Sequence, residues 1–193
     1  MDKFDEFISI LRQWETGGKR ILKNGAEQIC HVPHVAPAAW LHLIYAGLSN
    51  KQIKLMEKDL NQKLPKDVNS FLIKANGINI FSDSLSIFGY RSSFSRIGDE
   101  AIQPYDLSSE NQDMRSYKPA SWLGIGGYSW DGSTVFYDLS ASQTEVFRCE
   151  RYSTIKVNRW ESIIDWLMSE TKRLSGLFDS TGKKIDKSIP TTP

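Results

Sequence analysis

The period of the hydrophobic positions changes along the chain, and the changes mark its elements. In KFDEFISILRQWE, residues 3–15, Phe4, Phe7, Ile8 and Leu11 fall at spacings of three and four, which predicts an amphipathic helix with one apolar face. Gly17, Gly18 and Asn24-Gly25 break the pattern, and Pro33 and Pro37 predict an irregular course over 24–37. The apolar run PAAWLHLIYAGL then predicts a buried helix over 38–47. Ser49 and Gln52 have capping-box spacing, and the helix they open runs to about Gln62 with Ile53, Met56 and Leu60 in one stripe.

The next segment, LPKDVNSFLIKANG at 64–77, carries its own start and stop. Pro65 suits a first helical turn, where its missing N–H costs nothing, and Asp67 places negative charge near the helix's positive end. Val68, Phe71, Leu72 and Ala75 make a buried stripe, and Gly77 after Asn76 supplies a left-handed closure. Nothing in the segment is reactive, so it is built for packing.

Beyond Gly77 the period shortens to two. Ile80, Leu85, Ile87 and Gly89 alternate with Phe81, Phe88 and Tyr90, which predicts one or two strands. Residues 91–104 are aperiodic, and Tyr105 to about Arg115 reads as a short polar helix before Pro119. WLGIGGY, TVFYDL and EVFRC then read as a three-stranded meander, with turns at Trp130-Asp131-Gly132 and Ser140–Thr144. From Arg159 to Leu174 the helical period returns, with Trp160, Ile163, Ile164, Leu167, Thr171 and Leu174 on one face, and residues after Ser180 read as a tail.

Helices, then strands, then a helix predict an α+β fold with a mainly antiparallel sheet packed against helices and an N-terminal helical extension. The expected organisation is one domain: an extension at 1–48, an α+β body at 49–175 and a C-terminal tail at 176–193. Its 193 residues are enough to bury a core, and 40% hydrophobic with 24% charged residues is a globular composition. The formal net charge of +1 supplies no global field for nucleic acid or an anionic membrane. The longest apolar run is interrupted by His42 and too short to span a bilayer, and charged residues follow Met1 where a signal peptide would be apolar, so the cytoplasm is the expected compartment. Cys30 and Cys149 are accordingly expected as free thiols.

A search for chemistry excludes more than it finds. Cys30, His31 and His34 offer up to three zinc ligands but lack a fourth and the paired spacing of structural sites, so no metal site is assigned. His42 sits among apolar residues and reads as a core histidine. GIGGYS at 124–129 lacks the third glycine of a dinucleotide loop and the lysine of a Walker loop, and it leads into a hairpin; its glycines read as a bulge or a close backbone approach. Ser129 in GYSWD lacks the second glycine and the strand-to-helix turn of a nucleophile elbow. Asp131, Asp138, Glu145 and Glu150 read as turn residues and solvated strand positions. No catalytic residue and no cofactor follow from the sequence.

Aromatic surface remains. Tyr128, Trp130, Phe136, Tyr137 and Phe147 cannot all face one core if strands alternate, so either some mark an interface or a cluster forms under the 91–120 connection. A tryptophan in a hairpin turn has the character of an interface anchor, which makes Tyr128, Trp130 and Asp131 the candidate partner-binding residues.

The succession IKLMEKDLNQKLPKDVNSFLIKANG, LSIFGY, WLGIGGYSWDGSTVFYDLS and a closing helix with Trp160, Ile163 and Trp166 resembles the SUKH superfamily, which joins Smi/Knr-type cell-wall regulators of fungi with bacterial immunity proteins, over about residues 49–170. The resemblance implies that Leu64, Pro65, Asp67, Phe71, Asn76 and Gly77 are structural residues. It also implies a non-catalytic, protein-binding domain, most directly an immunity protein that neutralises a cognate toxin domain. An intracellular regulatory scaffold is the alternative it carries, and a small ligand- or metal-binding enzyme using the Cys30–His34 loop is the alternative outside it. The first 48 residues have no counterpart in the shortest members.

Overall fold

The computed structural model describes residues 2–141 and 145–193. Helix α1, Lys3–Leu11, is capped by the Asp2 carboxylate and buries Phe7, Ile8 and Leu11, as the spacing predicts. Three strands follow: β1 Lys19–Ile21, β2 Glu27–His31 and β3 Trp40–Ala46. Two expectations are corrected here. The 24–37 stretch contains β2, because Asn24-Gly25 forms a β1–β2 hairpin turn with Gly25 at φ 81°. The run at 38–47 is a strand, not a helix: it is covered on both faces, so its residues lose the polar–apolar alternation that separates a strand from a buried helix.

Helix α2, Asn50–Leu60, opens with the complete Ser49–Gln52 capping box and buries Ile53 and Met56. Helix α3, Lys66–Lys74, buries Val68, Phe71 and Leu72 but ends one turn before the glycine. Asn76 and Gly77 belong instead to β4, Ala75–Ile80. Gly77 does take φ 81°, yet for a different reason: a Cβ there would lie 2.6 Å from the Ile87 carbonyl oxygen of β5, Leu85–Ile87. Asn76 replaces a missing ladder partner, its side-chain amide accepting the Tyr90 N–H at 2.6 Å and donating to the Tyr90 carbonyl at 2.8 Å. The Asn-Gly pair is thus a device of the sheet rather than of the helix.

The polar helix of the 105–115 stretch is α4, Leu107–Asp113, capped by Asp106. The meander is present as β6 Trp122–Tyr128, β7 Thr134–Asp138 and β8 Val146–Cys149. Of the turn expected at Ser140–Thr144, residues 142–144 lie outside the described residues. A further strand, β9 Lys156–Trp160, precedes α5, Ile163–Ser175, so Trp160 and Arg159 belong to the sheet and not to the closing helix. The extended Ser162 marks that boundary by capping the Asp165 N–H.

All nine strands of the described residues form one antiparallel sheet whose spatial order is their sequence order. The fold is α+β, with helices flanking the sheet. α1 and α5 pack on one another, and Phe4 of α1 meets Phe71 of α3 edge-on at 5.7 Å, within one large core. A smaller cluster, Leu22, Ala26 and Tyr45 with Leu43 and Ile102, forms around β3. Because neighbours run antiparallel, the β2–β3, β4–β5, β6–β7 and β8–β9 connections all emerge at one end of the sheet, and α2, α3 and α4 lie in connections at the other.

The C-terminal segment is docked against the loop end. Trp14 Nε1 donates to the Asp179 carbonyl at 2.8 Å, Arg173 to the Thr191 carbonyl at 2.6 Å, and Arg148 to the Pro193 carbonyl at 2.9 Å. Phe178 packs on Phe81 with ring centroids 5.1 Å apart.

Candidate protein-binding face

The β6–β7 hairpin tip spans 129–133. Tyr128 N–H donates to the Ser133 carbonyl and Gly132 N–H to the Tyr128 carbonyl, while the Asp131 carboxylate accepts the Ser133 N–H at 2.9 Å. Gly132, at φ 71°, permits the turn. This arrangement lifts Trp130 out of the sheet, leaving it 51% exposed, with the Lys184 ammonium 4.3 Å from its ring centroid.

The candidate residues separate into three roles. Trp130 alone offers a large apolar surface. Asp131 is anchored, its second carboxylate oxygen accepting from Arg148 Nη1 at 3.0 Å. Arg148 is buried and also donates to Asn158 and Ser133, so the hairpin is clamped to β9 and to the C-terminal segment through one guanidinium. Tyr128 is only 2% exposed, and its hydroxyl accepts from Trp166 Nε1 at 2.8 Å. Burial, and then the nearby Glu170 carboxylate, hold the Tyr128 phenol above its usual range. Tyr128 therefore supports the hairpin from beneath.

Phe136, Tyr137 and Phe147 are also buried. Phe136 and Phe147 cluster with Trp122, and a Cβ on Gly124 would approach the Met114 side chain to 3.0 Å, which places residues of the 105–118 segment over this face. The aromatic residues do not need one shared core, since the sheet is covered on both sides here. Gly126 likewise allows close approach: a Cβ would lie 2.8 Å from Trp166, and the β6–β7 register shifts between Gly124 and Gly126.

Trp130 borders a cleft of about 570 Å³ in which the loop-end connections meet the C-terminal segment. Val35, Phe81 and Phe178 contribute apolar surface, and Lys183, Lys184 and Lys187 form a basic rim. The lysines were hidden in the sequence because a run such as KKIDK reads as a solvated tail; its alternation with the exposed Ile185 and Ile189 was the available signal. The β4–β5 turn on this cleft is also unforeseen: Phe81, Ser82 and Asp83 take φ of 52°, 52° and 63° in succession. Left-handed non-glycine residues cost about 1–2 kcal/mol each. The buried Phe81 ring, a 2.7 Å Asn79–Asp83 hydrogen bond and the Ser82 N–H to Leu41 carbonyl bond hold them there. Surface aromatic character continues nearby in Tyr152, 67% exposed and edge-on to Tyr117.

The other chemical candidates do not converge. Cys30 is buried, with its thiol held above its usual pKa by burial, whereas His31 is exposed and bonded to the Pro37 carbonyl. Among the described residues no group of three or more His, Cys, Asp or Glu side chains is placed to hold a metal ion. His42 is buried in an aromatic cage of Trp14 and Phe81, with its pKa pushed down to about 3 by desolvation. Ser129 and His34 both line the Trp130 cleft, with no hydrogen bond between them among the described residues, and of the hairpin-region carboxylates Asp131 pairs with Arg148, Asp138 and Glu145 with Lys156, and Glu145 with Arg159. No helix among the described residues is long and apolar enough to cross a membrane.

No curated protein matches the chain. The SMI1 / KNR4 family (SUKH-1) model matches residues 47–169, from the end of β3 through most of α5, a span that includes the Asn76-Gly77 device and the whole Trp130 hairpin. That match covers well over half of the chain and supports a protein-binding domain of the immunity or regulatory kind; the chain belongs to the SMI1/KNR4 (SUKH-1) family.

Proposed function

We propose that this protein is a non-catalytic immunity protein that acts in the cytoplasm by binding a cognate toxin domain and occluding it. The observation that carries the reading is Trp130, a half-exposed tryptophan on a rigidly clamped hairpin beside an apolar cleft, inside the segment matched to the family. Interface hot spots are enriched in such aromatic residues, and preorganisation lowers the entropy cost of using one. Asp131 and Tyr128 serve the same site indirectly, one by fixing the turn through Arg148 and the other by seating it on α5. The lysine rim favours an acidic surface on the partner, because complementary potentials speed encounter and select orientation. Residues 1–48 belong to the same domain in this reading, since β1–β3 extend its sheet.

The test is co-expression with the product of the neighbouring gene, inactivated as a precaution, followed by purification of any complex and measurement of growth rescue from the active toxin. A one-to-one complex that protects cells, and loses protection with Trp130→Ala, is the expected result. Stable recovery of endogenous regulatory proteins alone would overturn the immunity reading in favour of a scaffold.

A further inference from the structure

A second concavity lies at the opposite end of the sheet, between the C-terminal end of α2 and the segment from α4 to β6. Its volume is about 520 Å³, within the usual range for small-molecule sites of about 300–1,000 Å³. Gln62 and Ser108, from different elements, line it, and their Nε2 and Oγ atoms lie beneath the surface with no hydrogen-bond partner among the described residues.

Cationic groups share the same lining. Arg115 and Lys118 are three residues apart, and among the described residues neither forms an ion pair. Among the described residues Asp59 is the one carboxylate on the lining, and it too makes no ion pair. Lys118 already donates to the Trp122 carbonyl, which leaves further N–H groups on its ammonium to spare. Burial, and then repulsion from Arg115, hold Lys118 below its usual range.

The cavity wall is fixed in advance. Asn111 of α4 accepts the Gly124 N–H at 2.8 Å and donates to the Gly124 carbonyl at 2.7 Å and the Leu107 carbonyl at 2.9 Å, so its amide is committed to joining α4 to β6. The donors left open around it are those of Arg115 and Lys118.

We propose that this cavity binds a small polar solute carrying an oxyanion, with phosphate monoesters as the best-fitting class. The Arg115 guanidinium supplies a planar fork for two oxyanion oxygens and Lys118 a point charge. The site lies away from the Trp130 face, and its occupation does not depend on the immunity reading.

Calorimetric titration of the full chain with inorganic phosphate, a nucleoside monophosphate and citrate, all at one ionic strength, tests this. Saturable one-to-one binding is expected, weakened roughly tenfold or more by Arg115→Gln, because a charge-assisted hydrogen bond contributes more than a neutral one. Arg115 is exposed, so that variant keeps its fold, and circular dichroism verifies it. Lys54→Gln, on the exposed face of α2, should leave affinity unchanged. Tightest binding of citrate would retain the oxyanion class with a carboxylate as its source. Absence of saturable binding for all three probes, or equal weakening by the two substitutions, would overturn the proposal.

Discussion

The indole nitrogen of Trp166 donates a 2.8 Å hydrogen bond to the phenol oxygen of Tyr128, tying α5 to the strand that leads into the Trp130 hairpin. The two residues are 38 positions apart in sequence and both are almost wholly buried. Tyr128→Phe leaves the ring in place but orphans the indole N–H, which should cost about 1–3 kcal/mol. Urea denaturation checks it, and Tyr128→Phe combined with Trp166→Phe should cost less than the sum of the two single changes, because both remove the same hydrogen bond.

Trp130→Ala should behave oppositely. Its ring is half exposed and its described partner, Lys184, makes a solvent-exposed cation–π contact worth about 0.5–1 kcal/mol, so folding stability should change by no more than that. Partner affinity should fall by more than about 1 kcal/mol if the tryptophan anchors the interface. Unchanged affinity in a titration against the purified partner would remove the hairpin from the binding face.

The contrast between these residues indicates what the sequence could convey. Local signals were legible: the Ser49–Gln52 box, the α1 stripe and the β6–β8 alternation all reflect neighbours within a few residues. The strand at 40–46 was not, because burial on both faces erases its period, and Trp160 was absorbed into the following helix because β9 ends only two residues before Ser162. In the candidate site, exposure of a hairpin-tip tryptophan was readable. The burial of Tyr128 under α5 and the arrival of Lys183–Lys187 beside Trp130 depend on long-range docking, which leaves no local periodicity.

Arg148 is the most consequential polar residue beneath the candidate face. It is buried and donates to Asp131, Ser133, Asn158 and the Pro193 carbonyl, so Arg148→Met leaves several acceptors without their donor. A loss of about 3–5 kcal/mol is expected, as for breaking a buried ion pair. Asp131→Asn, which keeps the turn acceptor and removes one charge, should cost less. Thermal denaturation of the two variants checks the order.

Gly77→Ala separates a sheet device from a helix stop. At an exposed helix end, alanine in a left-handed position would be strained but uncrowded; here φ is 81° and the new Cβ would lie 2.6 Å from the Ile87 carbonyl oxygen. Strain and steric overlap together should exceed about 2 kcal/mol. Amide exchange should accelerate across β4 and β5 rather than in α3. Faster exchange confined to the end of α3 would restore the capping interpretation.

His42 gives the chain a pH dependence that can be isolated. Its Nδ1 accepts the Phe81 N–H at 3.3 Å, which assigns the proton of the neutral ring to Nε2, and burial lowers its pKa to about 3. An unfolded chain binds that proton near its ordinary pKa of about 6.5, so stability is complete above this value and falls as pH decreases towards 3, by up to about 1.4 kcal/mol per unit. Carboxylates with lowered pKa, such as Asp165 and Glu57, act only near and below their ordinary range. Between about pH 6.5 and 5, therefore, the slope from His42 should stand out in denaturant midpoints. His42→Asn should flatten that part of the profile, whatever its effect on absolute stability, because it removes the buried group that must charge on unfolding. An unchanged slope in the variant would place the titrating group elsewhere.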